Sequence, residues 1–184
     1  MNFIKHSELE GLHAVFGASK YHWLNYNDDK MLKYYKETYV ATMKGTKLHE
    51  IAKMCIEEGI KLKGTNTLAM FVNDAIGFNM KPEQVLVYSV PYFFGTADAI
   101  SFKNNKLRIH DLKTGKTPVH MEQLYIYAAL FCLEYEISPK DITICLRIYQ
   151  NNDIWEDNPT PEIILPVMDK IVHSNKLLKE VEEK

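Results

Sequence analysis

The pattern of apolar and polar positions changes character near the middle of the chain. Before residue 80 the apolar residues recur at helical spacing. Trp23, Leu24, Met31, Leu32, Tyr35 and Tyr39 repeat at roughly 3.6 residues and predict a helix from Lys20 to about Thr42, capped by Ser19 and interrupted between Asn25 and Asp29. Leu48, Ile51, Ala52, Cys55 and Ile56 predict a second helix from about Thr46 to Glu58, ended by Gly59, and Leu68 to Ile76 a third over Thr67 to Gly77. From Gln84 the residues turn β-branched and aromatic, with strands predicted in Val85–Val90, Tyr92–Phe102 and Leu107–Leu112. Asn104-Asn105 predicts a tight turn, because asparagine tolerates positive φ. Pro118 opens an apolar helix over Val119 to Tyr135, Ile142 to Tyr149 reads as a buried strand, and Pro161 to Lys184 carries an amphipathic pattern through Ile163, Ile164, Val167, Ile171, Leu177, Leu178 and Val181. This order predicts an α/β fold: a central mixed sheet, with an antiparallel meander, a crossover helix and a further strand, flanked by helices.

Composition narrows the class without naming a chemistry. At 184 residues, 46% of them hydrophobic and 25% charged, the chain has the proportions of one soluble globular domain spanning 1–184. Within it the expected parts are a helical portion over 1–80, a sheet core over 84–150 and a last helix over 161–184. Lys and Arg number 22 against 24 Asp and Glu, a formal charge of -2, so a polyanion must be met by a local patch. Cys55, Cys132 and Cys145 are odd in number, scattered and set in apolar runs, which predicts buried thiols in a reducing compartment. With no run of signal-peptide or membrane-span length, the expected location is the cytoplasm, without membrane association.

The polar residues that stand out lie in Gly95-Thr96-Ala97-Asp98-Ala99-Ile100 and Ile109-His110-Asp111-Leu112-Lys113-Thr114-Gly115. Strand periodicity sends Asp111 and Lys113 to one face, and the Asn104-Asn105 turn folds Asp98 back beside them. Paired carboxylates suit Mg²⁺ or Mn²⁺, and a neighbouring ammonium can stabilise a phosphoryl oxyanion. Asp98 also interrupts an apolar run, where an unpaired carboxylate would cost several kcal/mol. On the following helix Gln123 and Tyr127 share a face four residues apart. Two competing motifs fail. A phosphate-binding loop ending in Gly115-Lys116-Thr117 would need glycine where His110 stands, and a zinc-protease helix beginning at His49-Glu50 would need histidine in place of Lys53.

Gly-Thr-Ala-Asp-Ala-Ile, Asp-Leu-Lys-Thr-Gly-Lys and Gln123-Leu-Tyr-Ile-Tyr127, with His49 upstream in Gly45-Thr46-Lys47-Leu48-His49-Glu50, together resemble the PD-(D/E)XK nuclease superfamily. Within it the likeness is to the RecB-like branch, which includes CRISPR-associated and phage exonucleases. The resemblance spans about residues 44 to 130, and its strength is the order of the motifs, since each alone is short. It implies a restriction-endonuclease-like core and a metal-dependent deoxyribonuclease, in its expected form an exonuclease of phage or bacterial recombination, repair or DNA processing. One or two Mg²⁺ or Mn²⁺ ions would be held by Asp98, Asp111, the backbone carbonyl of Leu112 and His49. Lys113 would act on the attacking water, while Gln123 and Tyr127 orient Lys113 or the phosphate. Ala97 replaces the proline of the name-giving motif, and the cysteines that hold an iron–sulfur cluster in some relatives are missing, so no such cluster is expected.

The implied partner is linear DNA, single- or double-stranded, with a homo-oligomer or a recombination partner protein as further candidates. Lys44, Lys47, Lys113, Lys116 and His120 are the cations expected to meet its phosphates. Tyr21, His22 and Trp23 are read mainly as core, with base stacking as the other reading. The alternative to an enzyme is a catalytically silent module of the same fold that binds DNA or a partner protein.

Overall fold

Three helices precede the sheet in the computed structural model, which describes residues 1–12, 14–38, 47–113 and 118–182. They are α1 (Asp28–Thr38), α2 (Lys47–Glu57) and α3 (Thr67–Gly77). The first helical stretch breaks where its pattern is interrupted, between Asn25 and Asp29, but the part before the break is a 3-10 segment over Ala18–Asn25, entered from Gly17 with no side-chain cap in place of the expected Ser19, and α1 follows it. The break has a local cause. Asn27 Oδ1 accepts from the Lys30 amide, and Asp28 and Asp29 put negative charge in the new first turn, so a helix start competes with continuation. Residues 39–46, which include the expected end at Thr42, lie outside the described residues. The third helix matches its predicted span and is capped by Asn66 Oδ1 on the Ala69 amide.

The meander forms, extended by a strand that the sequence pattern does not predict. Strands β1 (Lys81–Ser89), β2 (Phe93–Lys103), β3 (Lys106–Leu112), β4 (Thr143–Gln150) and β5 (Asp153–Asp157) lie in the order β1-β2-β3-β4-β5. All neighbours are antiparallel except β3 and β4, which run parallel. Lys103 pairs with Lys106 across a two-residue turn in which Asn104 and Asn105 take φ of 51° and 55°. Asn151 and Asn152, at 53° and 62°, close the β4–β5 hairpin in the same way. Both follow from the primed turns that right-handed strand twist demands.

A parallel pair needs a crossover, and α4 (Glu122–Glu134) supplies it. Every residue from Ile126 to Cys132 is buried, as expected of a helix that is apolar all round. It starts at Glu122 rather than Val119, because the first carbonyl to accept helical bonds is that of Met121. The helix packs on β1, β2 and β3, with the 3-10 segment and α5 (Pro161–Glu182) against its outer side. On the opposite face α2 and α3 cover the sheet around Ala52, Phe71, Val72, Leu112 and Tyr149. Trp23 and Met31 are fully buried in the larger core on the α4 side, which settles Trp23 as a packing residue. Cys55, Cys132 and Cys145 are free and buried on separate elements. Among the described residues, no helix is long and apolar enough to cross a membrane.

Candidate metal centre

The last pair of the β2–β3 ladder is Ala99 with His110, so Asp98 and Asp111 stand across from each other just where the strands part. There the Asp98 side chain takes over from the ladder. Its Oδ2 accepts from the Leu112 amide at 2.7 Å, and its Oδ1 lies 3.4 Å from Nδ1 of His49 on α2. Glu83 joins from β1. It sits between Pro82, paired with Ala99, and Gln84, paired with Ala97, which sets it opposite Asp98, and its Oε1 is 3.9 Å from the same His49 nitrogen. One donor atom from each of His49, Glu83 and Asp98 falls within 4.8 Å of the other two.

Beside this group is a second, bonded cluster. Lys113 Nζ donates to Asp111 Oδ1 at 3.2 Å and lies 2.9 Å from Oδ2, the close contact to Oδ2 being an ion pair without hydrogen-bond alignment. Gln123 bridges the two charges: its Oε1 accepts from Lys113 Nζ at 2.6 Å and its Nε2 donates to Asp111 Oδ1 at 2.9 Å. The hydroxyl of Tyr127, one turn further along α4, is 3.5 Å from Gln123 Nε2. Gly95 makes room for that ring, since a Cβ there would stand 3.0 Å from Tyr127 Cε1.

The electrostatics are those of a site with too much negative charge for its burial. Burial, and then the charge of Asp98, push the Glu83 carboxyl up to about 7. The Asp111 carboxyl, only 2% exposed, is raised by the same two causes in the same order and pulled back by Lys113. His49 is raised chiefly by its hydrogen bond to Asp98. Burial holds the Tyr127 phenol well above its ordinary value, so it stays protonated. A divalent cation between His49, Glu83 and Asp98 would offset the crowding, and one nitrogen with carboxylate oxygens is a donor set that suits Mn²⁺ and accommodates Mg²⁺.

Of the residues expected from sequence, the structure brings Asp98 to His49, and Asp111 to Lys113, Gln123 and Tyr127. Asp111 stands outside the three-residue group, its oxygens engaged by lysine and glutamine. Leu112 enters through its amide, on Asp98. Glu83 is absent from the sequence reading: it follows a proline in a strand whose register is set across a loop, and its φ of 49° breaks the alternation on which face assignments depend. The expected cations Lys44 and Lys116, and the side chain of Lys47, lie outside the described residues. His120 is exposed, its ring centre 4.8 Å from that of Tyr21, which in turn lies 4.3 Å from the His22 ring at a tilt of 47°.

No family model matches the chain, and no curated protein matches it. Among solved structures the chain is similar to the crystal structure of SSO0001, at 13% identity over 92% of this chain and 78% of that one, with a TM-score of 0.38. So loose a likeness carries no argument. The chain has an α/β architecture with a five-stranded mixed sheet, flanked by helices.

Proposed function

We propose that the chain is a Mg²⁺- or Mn²⁺-dependent deoxyribonuclease with a restriction-endonuclease-like core, of the RecB-like branch of the PD-(D/E)XK superfamily, acting in the cytoplasm in phage or bacterial recombination, repair or DNA processing. The observation that carries the reading is the meeting of the His49, Glu83 and Asp98 group with the Asp111, Gln123 and Lys113 cluster at one sheet end. A divalent ion bound there supplies a Lewis acid for a phosphodiester oxygen and a lowered pKa for water. His49, Glu83 and Asp98 hold it, with Asp111 as the adjacent carboxylate. Lys113 offers its ammonium to the charge that develops on the phosphoryl oxygens, and Gln123 fixes where that ammonium sits. Tyr127, protonated and packed against Gly95, fixes the Gln123 amide in turn.

The test is digestion of linear and covalently closed circular DNA, single- and double-stranded, in Mg²⁺ or Mn²⁺ with an EDTA control. Linear DNA is expected to be degraded and closed circles spared, as an exonuclease requires. Asp111→Ala and Lys113→Ala are each expected to lower the rate by about 10²-fold or more. Cleavage that survives both substitutions, or that is indifferent to EDTA, would refute the assignment.

A further inference from the structure

We propose that a second anion site lies at the far end of the sheet and takes the phosphate of a nucleotide or of a nucleic-acid strand. A cavity of about 370 Å³ opens between the end of α3 and the β2–β3 turn, lined by Phe78, Asn79, Lys103, Asn104, Lys106 and Arg108 together with Gly77. Its size falls in the range of pockets that accept whole small molecules, roughly 300–1,000 Å³. It shares no residue with the metal centre. From Lys106 to Leu112 the strand has 7 residues, about 20 Å at ~3.3 Å per step, so the two sites lie toward opposite ends of β3.

Three cations line this cavity, and among the described residues no carboxylate does. Among the described residues, Lys103, Lys106 and Arg108 make no ion pair. That is notable in a chain with more acids than bases, and it has a cost, because Lys103 and Lys106 face each other directly across the ladder, where like charges repel. Glu156 on β5 feels the charge of Lys106 but is itself bonded to Arg147 at 2.6 Å. The arginine is also pre-positioned. The Arg108 guanidinium lies 4.7 Å from the Phe78 ring centre, and Arg147, paired with Asp74 and Glu156, approaches the same ring at 5.5 Å. A guanidinium held on an aromatic ring loses little further freedom when its fork engages two phosphate oxygens. Asn79 and Asn104, both with φ near 50°, also line the opening. Unpaired cations and a fixed fork suit phosphate oxygens, whether of the doubly charged terminal group of a nucleotide or of successive singly charged phosphodiesters along a strand.

The experiment is run in EDTA, where no metal-dependent cleavage occurs, so it reads this site whether or not the nuclease assignment holds. ADP is titrated by calorimetry and a fluorescein-labelled DNA 20-mer by anisotropy, each against wild type, Arg108→Gln and the double variant Lys103→Gln/Lys106→Gln. The lysine changes touch exposed or half-exposed side chains, and a retained melting temperature shows that the fold survives them. Tenfold or greater weakening of ADP in both variants supports the site and names a free nucleotide as its source of phosphate. Weakening of DNA alone, with the slope of log K against log salt reduced by roughly 0.7–0.9 per lost contact, supports it and names the strand. Unchanged affinity and salt slope for both ligands in both variants would overturn it.

Discussion

Gln123→Leu tests whether the bridge between Asp111 and Lys113 is as strong as its geometry implies. Gln123 is 7% exposed, and both ends of its amide are bonded to charged partners, at 2.6 Å and 2.9 Å. Leucine fills a similar volume and removes both bonds. A hydrogen bond to a charged group contributes about 1.5–3 kcal/mol, so two give about 3–6 kcal/mol. Asp111 and Lys113 keep their own ion pair, and burying leucine in place of an amide returns about 1 kcal/mol or more. The net expectation is a loss of about 2–5 kcal/mol, read as a shift of the urea midpoint at pH 7 in EDTA. A double-mutant cycle with Lys113→Met separates the bridge from packing: if Gln123 acts through the lysine, the two losses fall short of additivity by about 1 kcal/mol or more. A single-variant loss under about 0.5 kcal/mol, or additive losses in the cycle, would show that the bridge is incidental.

Other expectations concern the sheet and its supports. Gly95→Ala places a methyl 3.0 Å from Tyr127 Cε1, and overpacking a buried ring costs about 1–3 kcal/mol, a fall in Tm of several degrees by calorimetry; an unchanged Tm would mean the ring yields freely. His110 is fully buried, and burial, followed by the charges of Arg147 and Arg108, lowers it from 6.5 to about 3. Because its folded pKa lies below its unfolded one, it contributes stability that is present above pH 6.5 and is lost, at about 1.4 kcal/mol per pH unit, as pH falls toward 3. Glu83, raised by folding from 4.5 to about 7, works in the opposite direction, losing its contribution as pH rises across that interval. The measured quantity is therefore the difference in denaturation free energy between wild type and His110→Asn across pH 4–7, and a difference that is flat with pH would contradict a neutral buried imidazole. At the β2–β3 turn, Asn105→Gly is expected to be neutral or stabilising and Asn105→Val to cost about 1–2 kcal/mol, since φ is 55°; equal melting temperatures for the two would refute the turn geometry.

Legibility in the sequence tracked how local each feature is. The clustering of Asp111, Lys113 and Gln123 is readable because it needs only strand alternation and one crossover helix beginning a few residues later. Asn104-Asn105 is readable as a turn, and the identical signal at Asn151-Asn152 would have found β5. That strand, Asp153-Ile-Trp-Glu-Asp157, carries charges at both ends and so reads as loop; those charges are what an unpaired sheet edge carries to discourage pairing with another chain. Glu83 is hidden because its position depends on the β1–β2 register, whereas the break in the first helical stretch is legible because the Asn27 cap and the acidic start of α1 are local.

Asp98 divides its carboxylate between two tasks, one oxygen closing the ladder on the Leu112 amide and the other facing His49. Chemistry and scaffold are therefore confounded in any ordinary knockout at this position. Alanine deletes both the acceptor that ends the β2–β3 pairing and the charge, so the effect of Asp98→Ala is equally that of a lost site charge and of a frayed sheet. Asparagine retains an oxygen for the amide while abolishing the negative charge. The pair of substitutions thus acts as a dissecting tool: the stability they fail to share belongs to the strand end, and the divalent-ion affinity they lose together belongs to the site.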